Sequence, residues 1–98
     1  QDKDCYSSLH LYPIQIDLNK TNKRRKEIFS KMRSLGIGVN VHYIPIHLQP
    51  YYEKFGFKYG NFPKSELYYK NAVSLPKFHL MTLDQQNTIA SALKEVLI

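Results

Sequence analysis

The sequence predicts a small domain in which a short β-sheet is covered by α-helices. Its 98 residues match the usual size of a single domain. Some segments alternate apolar and polar residues with a period of two, as half-buried strands do, and others repeat apolar residues at helical spacing. These segments follow one another in the order β-α-β-(α)-α-β-α. Strands separated by helices commonly form one sheet with helices packed against it.

The first strand is predicted over residues 10–18, where alternate side chains form one largely apolar face. Pro13 lies within this segment and has no backbone N–H to donate, so we expect an edge strand or a bulge. The residues of the apolar face are His10, Tyr12, Ile14, Ile16 and Leu18.

The first helix is expected to begin after Thr21 or Asn22, because both are good N-cap residues, and to run to about Leu35. Gly36 follows at the position where many helices end with a left-handed residue. The apolar face of this helix is formed by Ile28, Met32 and Leu35.

The second strand is predicted over residues 39–43 and should end before Pro45. Its side chains point alternately to two faces. One face carries Val39, Val41 and Tyr43, and the other carries Asn40, His42 and Ile44.

The remaining elements follow from turn and cap signals. A helical turn is expected over residues 51–55, and a short helix from Pro63 to about Asn71. Residues 72–75 form an apolar run that ends at Pro76, which predicts a third strand. Thr82 and Gln85 have the spacing of a capping box, which predicts a final helix from Leu83 to near residue 98.

The composition favours an anionic partner. The net charge is +6, which suits nucleic acid, phosphate, a nucleotide-linked substrate or an acidic protein surface. Cys5 is the one cysteine, so no internal disulfide can form, and this fits the cytoplasm. No apolar run approaches the roughly 20 residues of a membrane span, and the first residues lack the pattern of a signal peptide. Since the chain begins with Gln, we expect a piece of a longer protein.

Residues 42–52 are the strongest candidate for a functional segment, because imidazole and phenol groups follow the end of a predicted strand. His42 and His47 have two interpretations that the sequence leaves open: half-buried structural histidines, or polar residues at the mouth of a pocket. His10 and His79 lie at no recognisable ligand spacing from them, so we expect no metal site. No lysine stands in a context that suggests a Schiff base, so we assign no catalytic residue.

Three other features of the sequence are candidate sites. The loop residues Tyr51 and Tyr52 can wall a sugar or base site, whereas Tyr68 and Tyr69 at helical spacing are expected to pack. The segment from Gly36 to Val39 has two interpretations: a helix stop followed by a turn, or a close backbone approach at the rim of the same site as His42. The basic run over residues 20–26 is either a solvated helix face or a nucleic-acid patch.

Three stretches resemble the C-terminal end of the DegT/DnrJ/EryC1/StrS family of sugar aminotransferases. The first is Tyr12-Pro13-Ile14. The second runs from Gly36 to Tyr52 and resembles the family segment "GI-x-x-x-x-HY-x-P-x-H". The third is Ser74-Leu75-Pro76 followed by Met81-Thr82 and the helix with Gln85, Ile89 and Leu93. Their order and spacing span nearly the whole chain. The segment "VHYIPIHLQPYY" is most similar to the branch of the family that makes the 4-amino sugar precursor of pseudaminic acid.

The resemblance implies an α+β fold with a small antiparallel sheet flanked by helices, the C-terminal domain of a fold-type I aminotransferase. Residues 1–98 would be one small domain of a longer enzyme. That enzyme would transfer an amino group from glutamate to the 4-keto carbon of a 6-deoxy UDP-sugar, with pyridoxal phosphate as cofactor and a homodimer as the working unit. The cofactor lysine and the large domain would lie outside this chain, so the chain alone should bind no cofactor and catalyse nothing.

The resemblance also implies which residues line the substrate cleft. Gly36, Ile37, Gly38 and Val39 would make close backbone contacts, and His42, Tyr43 and His47 would be polar lining residues. The alternative function is a separate basic module that binds RNA or another polyanion, although under the aminotransferase interpretation nucleic acid is not an expected partner.

Overall fold

The computed structural model describes residues 2–98 as a small α+β arrangement. Two strands form an antiparallel sheet, and helices surround it. In chain order the elements are β1 (Tyr12–Gln15), α1 (Arg25–Ser34), a 3₁₀ turn (Ile46–Leu48), α2 (Pro50–Glu53), α3 (Pro63–Asn71), β2 (Ala72–Leu75) and α4 (Leu83–Leu97). The predicted fold class is therefore confirmed. The first strand is shorter than predicted.

The sheet register explains how Pro13 is accommodated. Strand β1 pairs antiparallel with β2 so that Pro13 lies opposite Ser74. The Ser74 N–H donates to the Asn40 carbonyl at 2.7 Å, and the Ser74 carbonyl accepts from the Asn40 N–H at 3.1 Å. Because Asn40 already satisfies both backbone groups of Ser74, the position of Pro13 requires no ladder N–H. The edge position predicted for this strand is confirmed.

The second predicted strand, over residues 39–43, does not form, and the prediction of three strands was wrong in this respect. A single bridge between Asn40 and Ser74 stands in its place. The neighbouring Val39 has both of its backbone groups engaged elsewhere: its N–H donates to the Ile37 carbonyl at 2.9 Å, and its carbonyl accepts from Arg33 Nη1 at 3.3 Å. Backbone groups used in this way cannot extend a ladder.

Helix α1 begins later than predicted, because a carboxylate and not a hydroxyl caps it. Arg24 is the N-cap residue, and its N–H donates to Glu27 Oε2 at 2.8 Å. The Thr21 hydroxyl accepts from the Lys23 N–H at 3.3 Å, so it stabilises the preceding turn.

The C-terminal end of α1 is a Schellman motif. Gly36 has a φ of +80°, its N–H donates to the Arg33 carbonyl, and the Ile37 N–H donates to the Met32 carbonyl, both at 3.0 Å. The predicted left-handed cap at Gly36 is confirmed. Leu35, predicted on the buried face, is 42% exposed because it is the C-cap residue and no longer follows the helical path.

The core lies between the sheet, α1 and α4. Met32 and Val96 are fully buried where these two helices pack, and Val73 contributes the β2 side. Thr82 caps α4 as predicted: its Oγ1 accepts from the Gln85 N–H at 3.2 Å, and Gln85 Oε1 accepts from the Thr82 N–H at 2.9 Å. The buried core residues are Ile16, Ile28, Met32, Ile37, Val39, Val73 and Val96.

Many large apolar side chains remain exposed, especially in the aromatic segment 51–62. Tyr51, Phe55 and Tyr59 are each more than half exposed. Exposed apolar side chains gathered in this way are typical of protein–protein contacts and of ligand-binding grooves. None of the helices within residues 2–98 combines the length and the hydrophobicity that crossing a bilayer requires.

Candidate functional site

A small pocket of about 250 Å³, with both polar and apolar lining residues, lies beside the edge of β2. The segment that leaves α1 forms one wall through Gly38, Asn40 and His42, and Ser74 at the centre of β2 forms the floor. The opposite wall comes from the chain before β1, from the last residue of β2 and from the segment after it. It consists of His10, Leu11, Leu75, Pro76, Lys77 and Phe78.

His42 follows the backbone bridge between Asn40 and Ser74 by two residues and lines the pocket. His42 Nδ1 lies 2.9 Å from Ser74 Oγ, and the His42 ring is half-buried. Since one ring nitrogen is engaged by the serine hydroxyl, the imidazole orientation is fixed and Nε2 remains for a ligand. On the other wall, Lys77 Nζ donates to the Leu9 carbonyl. The pocket thus offers hydrogen-bonding groups and one ammonium group, a set that suits a hydroxyl-rich or anionic ligand.

The glycine segment divides between the core and the pocket. Ile37 and Val39 direct their side chains into the core, where they are 8% and 0% exposed, so only their backbone can approach a ligand. Gly38 lies between them and lines the pocket. Gly36 forms the cap of α1 and is not among the lining residues.

Tyr43 and His47 lie outside this pocket. The Tyr43 side chain is 69% exposed and meets the His42 ring edge to face at 4.5 Å between centroids. His47 is buried, and its Nε2 lies 2.8 Å from Glu66 Oε1. Its ring also packs against Phe62 at 4.8 Å. The His47 imidazole is therefore engaged within the fold.

Glu66 organises the loop that carries the exposed aromatic residues. The same oxygen, Oε1, accepts from His47, from the Gly60 N–H at 2.8 Å and from the Phe62 N–H at 3.4 Å. Burial by itself would raise the pKa of Glu66. The hydrogen bonds from His47, Gly60 and Phe62, with the charge of His47, outweigh it and hold this pKa below its ordinary value.

Sequence reasoning missed several lining residues because they join the pocket through long-range contacts. Ser74 was assigned to a strand and to the family resemblance but to no site, and it meets His42 across 32 positions of sequence. Lys77 and Phe78 follow Pro76 in a turn that has no recognisable motif. Asn40 could have been found, because the predicted alternation places it on the same face as His42.

The family of the chain follows from comparison with known proteins. A family model, the DegT/DnrJ/EryC1/StrS aminotransferase family, matches residues 1–94. The chain belongs to this aminotransferase family. The segments that carried the resemblance include the pocket residues Gly38, His42 and Ser74.

Relatives of this aminotransferase family member come from distant organisms. An uncharacterized protein of Methanocaldococcus jannaschii is 38% identical over 88 residues, which cover 89% of this chain and 23% of the relative. The spore coat polysaccharide biosynthesis protein SpsC of Bacillus subtilis is 37% identical over 89 residues, again 89% of this chain and 23% of the relative.

Solved structures agree with the family assignment. The sugar aminotransferase Spr1654 of Streptococcus pneumoniae, in its PMP-form, matches with a TM-score of 0.75 and 28% identity over 93% of this chain and 24% of that chain. Its PLP-form matches with a TM-score of 0.74 over 94% of this chain. The chain therefore spans about a quarter of the length of the relatives that it matches.

The described residues do not fit pyridoxal phosphate as a complete site. A Schiff-base lysine requires burial or a cationic neighbour to lower its pKa. Every lysine within residues 2–98 is exposed except Lys23, which is partly buried and donates to two backbone carbonyls of the α4 end. The same residues contain no cluster of three His, Cys, Asp or Glu side chains able to hold a metal ion.

Proposed function

We propose that residues 1–98 form the small C-terminal domain of a longer aminotransferase that acts on nucleotide-linked sugars. The family match and the structural likeness to a sugar aminotransferase support this proposal, as does the quarter-length coverage of the relatives. In this enzyme the chain supplies one wall of the substrate cleft. Pyridoxal phosphate and its lysine belong to the large domain, and a homodimer completes the site.

The pocket beside β2 is the observation that carries the proposal. Gly38 brings backbone close to the opening, and His42 offers a fixed imidazole. Asn40 and Lys77 add an amide and an ammonium group on the two walls. A nucleotide-linked sugar presents hydroxyl groups and a diphosphate, which these donors can recognise. Of the remaining proposed cleft residues, Gly36, Ile37 and Val39 act through backbone and through the position of Gly38. Tyr43 and His47 act through the orientation of the segment that follows His42.

The finer assignment concerns the reaction. The enzyme transfers the amino group of glutamate to the 4-keto carbon of a 6-deoxy UDP-sugar in the cytoplasm, as a step towards pseudaminic acid. The similarity of the segment from Val41 to Tyr52 to that branch of the family supports this choice. The cofactor supplies the amino-transfer chemistry, and the residues of this chain bind and orient the sugar nucleotide.

The test uses the protein expressed from its complete reading frame. Amination of a UDP-linked 4-keto-6-deoxy sugar by glutamate is followed by mass spectrometry of the product. Replacement of the pocket histidine, His42→Ala, is expected to raise the KM for the sugar nucleotide by about tenfold, since a hydrogen bond to a charged group is lost. The matched control is His79→Ala, because His79 is exposed and lies outside the pocket lining.

Two results would contradict the proposal. Failure of the complete protein to aminate any UDP- or dTDP-linked 4-keto sugar would exclude the function. Equal effects of His42→Ala and His79→Ala would exclude the pocket as the sugar-nucleotide wall. Product formed only from a dTDP-linked sugar would keep the general function and reject the pseudaminic acid assignment.

A further inference from the structure

A second concave surface on this chain has no role in the proposed amino transfer. It is an open groove of about 720 Å³ between the start of α1 and the end of α3, and it shares no residue with the pocket beside β2. We call it the basic groove. The residues that define it are Arg24, Arg25, Lys26, Lys70, Tyr59 and Tyr69.

The charge of the basic groove is almost entirely unneutralised. Arg24, Lys26 and Lys70 form no ion pair among residues 2–98, where the ion pairs are Lys20–Asp17 and His47–Glu66. The one acidic residue in the lining, Glu66, directs its Oε1 to His47 and to backbone N–H groups of the aromatic loop. Cations gathered in a concave surface with no local counter-charge attract anions.

The position of these cations is unfavourable for the helix itself. Arg25 and Lys26 occupy the first turn of α1, where the helix dipole disfavours positive charge, and Glu27 is the only acidic residue in that turn. Lys23, by contrast, has a structural role, because its Nζ donates to the carbonyls of Val96 and Ile98 at 2.6 and 2.8 Å. Folding explains Lys23, whereas the Lys26 ammonium has neither an ion pair nor a hydrogen bond among residues 2–98 that would offset its unfavourable position. Residues that break a local rule in this way are expected at functional sites.

Aromatic rings give the basic groove a second recognition element. The Arg25 guanidinium lies over the Tyr69 ring at 4.9 Å from its centroid, which holds its plane in place and leaves its N–H edge for a phosphate. The Tyr59 ring is 74% exposed at the groove and can stack against a planar base. The volume of the groove lies in the range of small-ligand sites.

We propose that the basic groove binds a nucleoside diphosphate, with the phosphates on the arginine and lysine side chains and the base on Tyr59. The observations favour a small ligand over a nucleic acid strand. The cations surround one concavity, whereas single-stranded nucleic acid is bound along an extended basic track with a series of stacking rings. The site is independent of the proposed amino transfer, and the chain carries it whether or not that function holds.

The experiment is isothermal titration calorimetry on the protein from its complete reading frame, with ADP and inorganic tripolyphosphate as probes. Lys26→Ala and Lys70→Ala are expected to weaken binding of both probes by about tenfold, because each removes a charged donor. Tyr59→Ala is expected to weaken ADP by about tenfold and to leave tripolyphosphate unchanged, because only ADP has a base to stack. The matched control is Lys31→Ala, which removes the same charge from an exposed position of α1 outside the groove.

Several results would overturn the proposal. Absence of ADP binding up to about 1 mM would reject the site, as would equal weakening by Lys31→Ala, which would indicate a diffuse charge effect. Binding of a single-stranded oligonucleotide without binding of ADP would reject it in favour of a nucleic-acid surface. All variants replace exposed side chains, and unchanged melting temperatures confirm that they fold. The amination assay run in parallel separates the two proposals, since groove variants should retain full amination activity.

Discussion

The two glycines after α1 allow stability and ligand contact to be tested separately. Gly36 has a φ of +80°, and Gly38 has no such left-handed conformation. A Cβ added at either position would meet no heavy atom within 4 Å. Clash with more distant parts of the fold therefore contributes nothing to either substitution. The difference between them lies in the backbone conformation of Gly36 and in the place of Gly38 in the pocket lining.

Gly36→Ala should destabilise the domain by about 1–2 kcal/mol, because an L-residue is forced into the left-handed region. Gly38→Ala should be neutral or stabilising by about 0.4–1 kcal/mol, because alanine restricts the unfolded chain more than glycine does. The two variants should thus differ by about 1–3 kcal/mol in the free energy of unfolding. The KM for the sugar nucleotide should respond to the other glycine. Gly38→Ala should raise this KM because the new methyl group stands at the pocket wall, and Gly36→Ala should leave it unchanged.

The assay combines urea unfolding of the complete protein, followed by circular dichroism, with amination kinetics of both variants. The comparison between the two variants in one background removes most of the uncertainty in extrapolation. Equal losses of stability would refute the role given to the left-handed cap. A KM raised equally by both variants would refute the distinction between a capping glycine and a pocket glycine.

Further predictions concern the core, the α4 cap and the buried ion pair. Met32→Ala should destabilise the domain by about 2–5 kcal/mol because it opens a cavity in the core, whereas Leu35→Ala should cost less than about 0.5 kcal/mol, both measured by urea unfolding. Thr82→Ala should cost about 1 kcal/mol, with faster amide exchange in the first turn of α4, and unchanged exchange would contradict the cap. The pKa of Glu66 is lowered in the folded state, so its carboxylate stabilises the fold above the ordinary pKa of glutamate, and this contribution is lost as the pH falls through the lowered value. Glu66→Gln should therefore reduce the acid-induced loss of melting temperature, and an unchanged pH profile would show that the pair with His47 does not control it.

The sequence predicted correctly several helix starts and ends that depend on residues only a few positions away. The capping box at Thr82, the proline at the start of α3 and the glycine at the end of α1 each act within a few residues, and each prediction is confirmed. Helix α1 was placed too early because Thr21 and Arg24, three residues apart, are rival N-cap positions, and the sequence does not show that the Arg24 N–H pairs with the Glu27 carboxylate.

Only one wall of the candidate site, the one formed by the segment after α1, could be predicted from the sequence. His42 and Gly38 could be found from one segment, but Ser74 and Lys77 reach the pocket through tertiary contacts. The partner of His47 illustrates the same limit, because Glu66 lies 19 positions away in a helix with no apparent link to the histidine. The sequence left open whether His47 was structural or ligand-binding. Its buried pair with Glu66 favours the structural role for its imidazole.

Burial, and not hydrogen bonding, determines which side chains of residues 37–42 face the pocket. The predicted strand did not form, yet its alternation persists: Ile37 and Val39 are buried, and Gly38, Asn40 and His42 line the pocket. The ladder consists of one bridge at Asn40, so it cannot impose a register over the whole segment. The two apolar side chains that are buried in the core can impose the register of this segment. Moving the chain by one residue would expose both of them and bury polar groups in their place. The core thus positions the pocket through Val39, which is fully buried between two pocket residues.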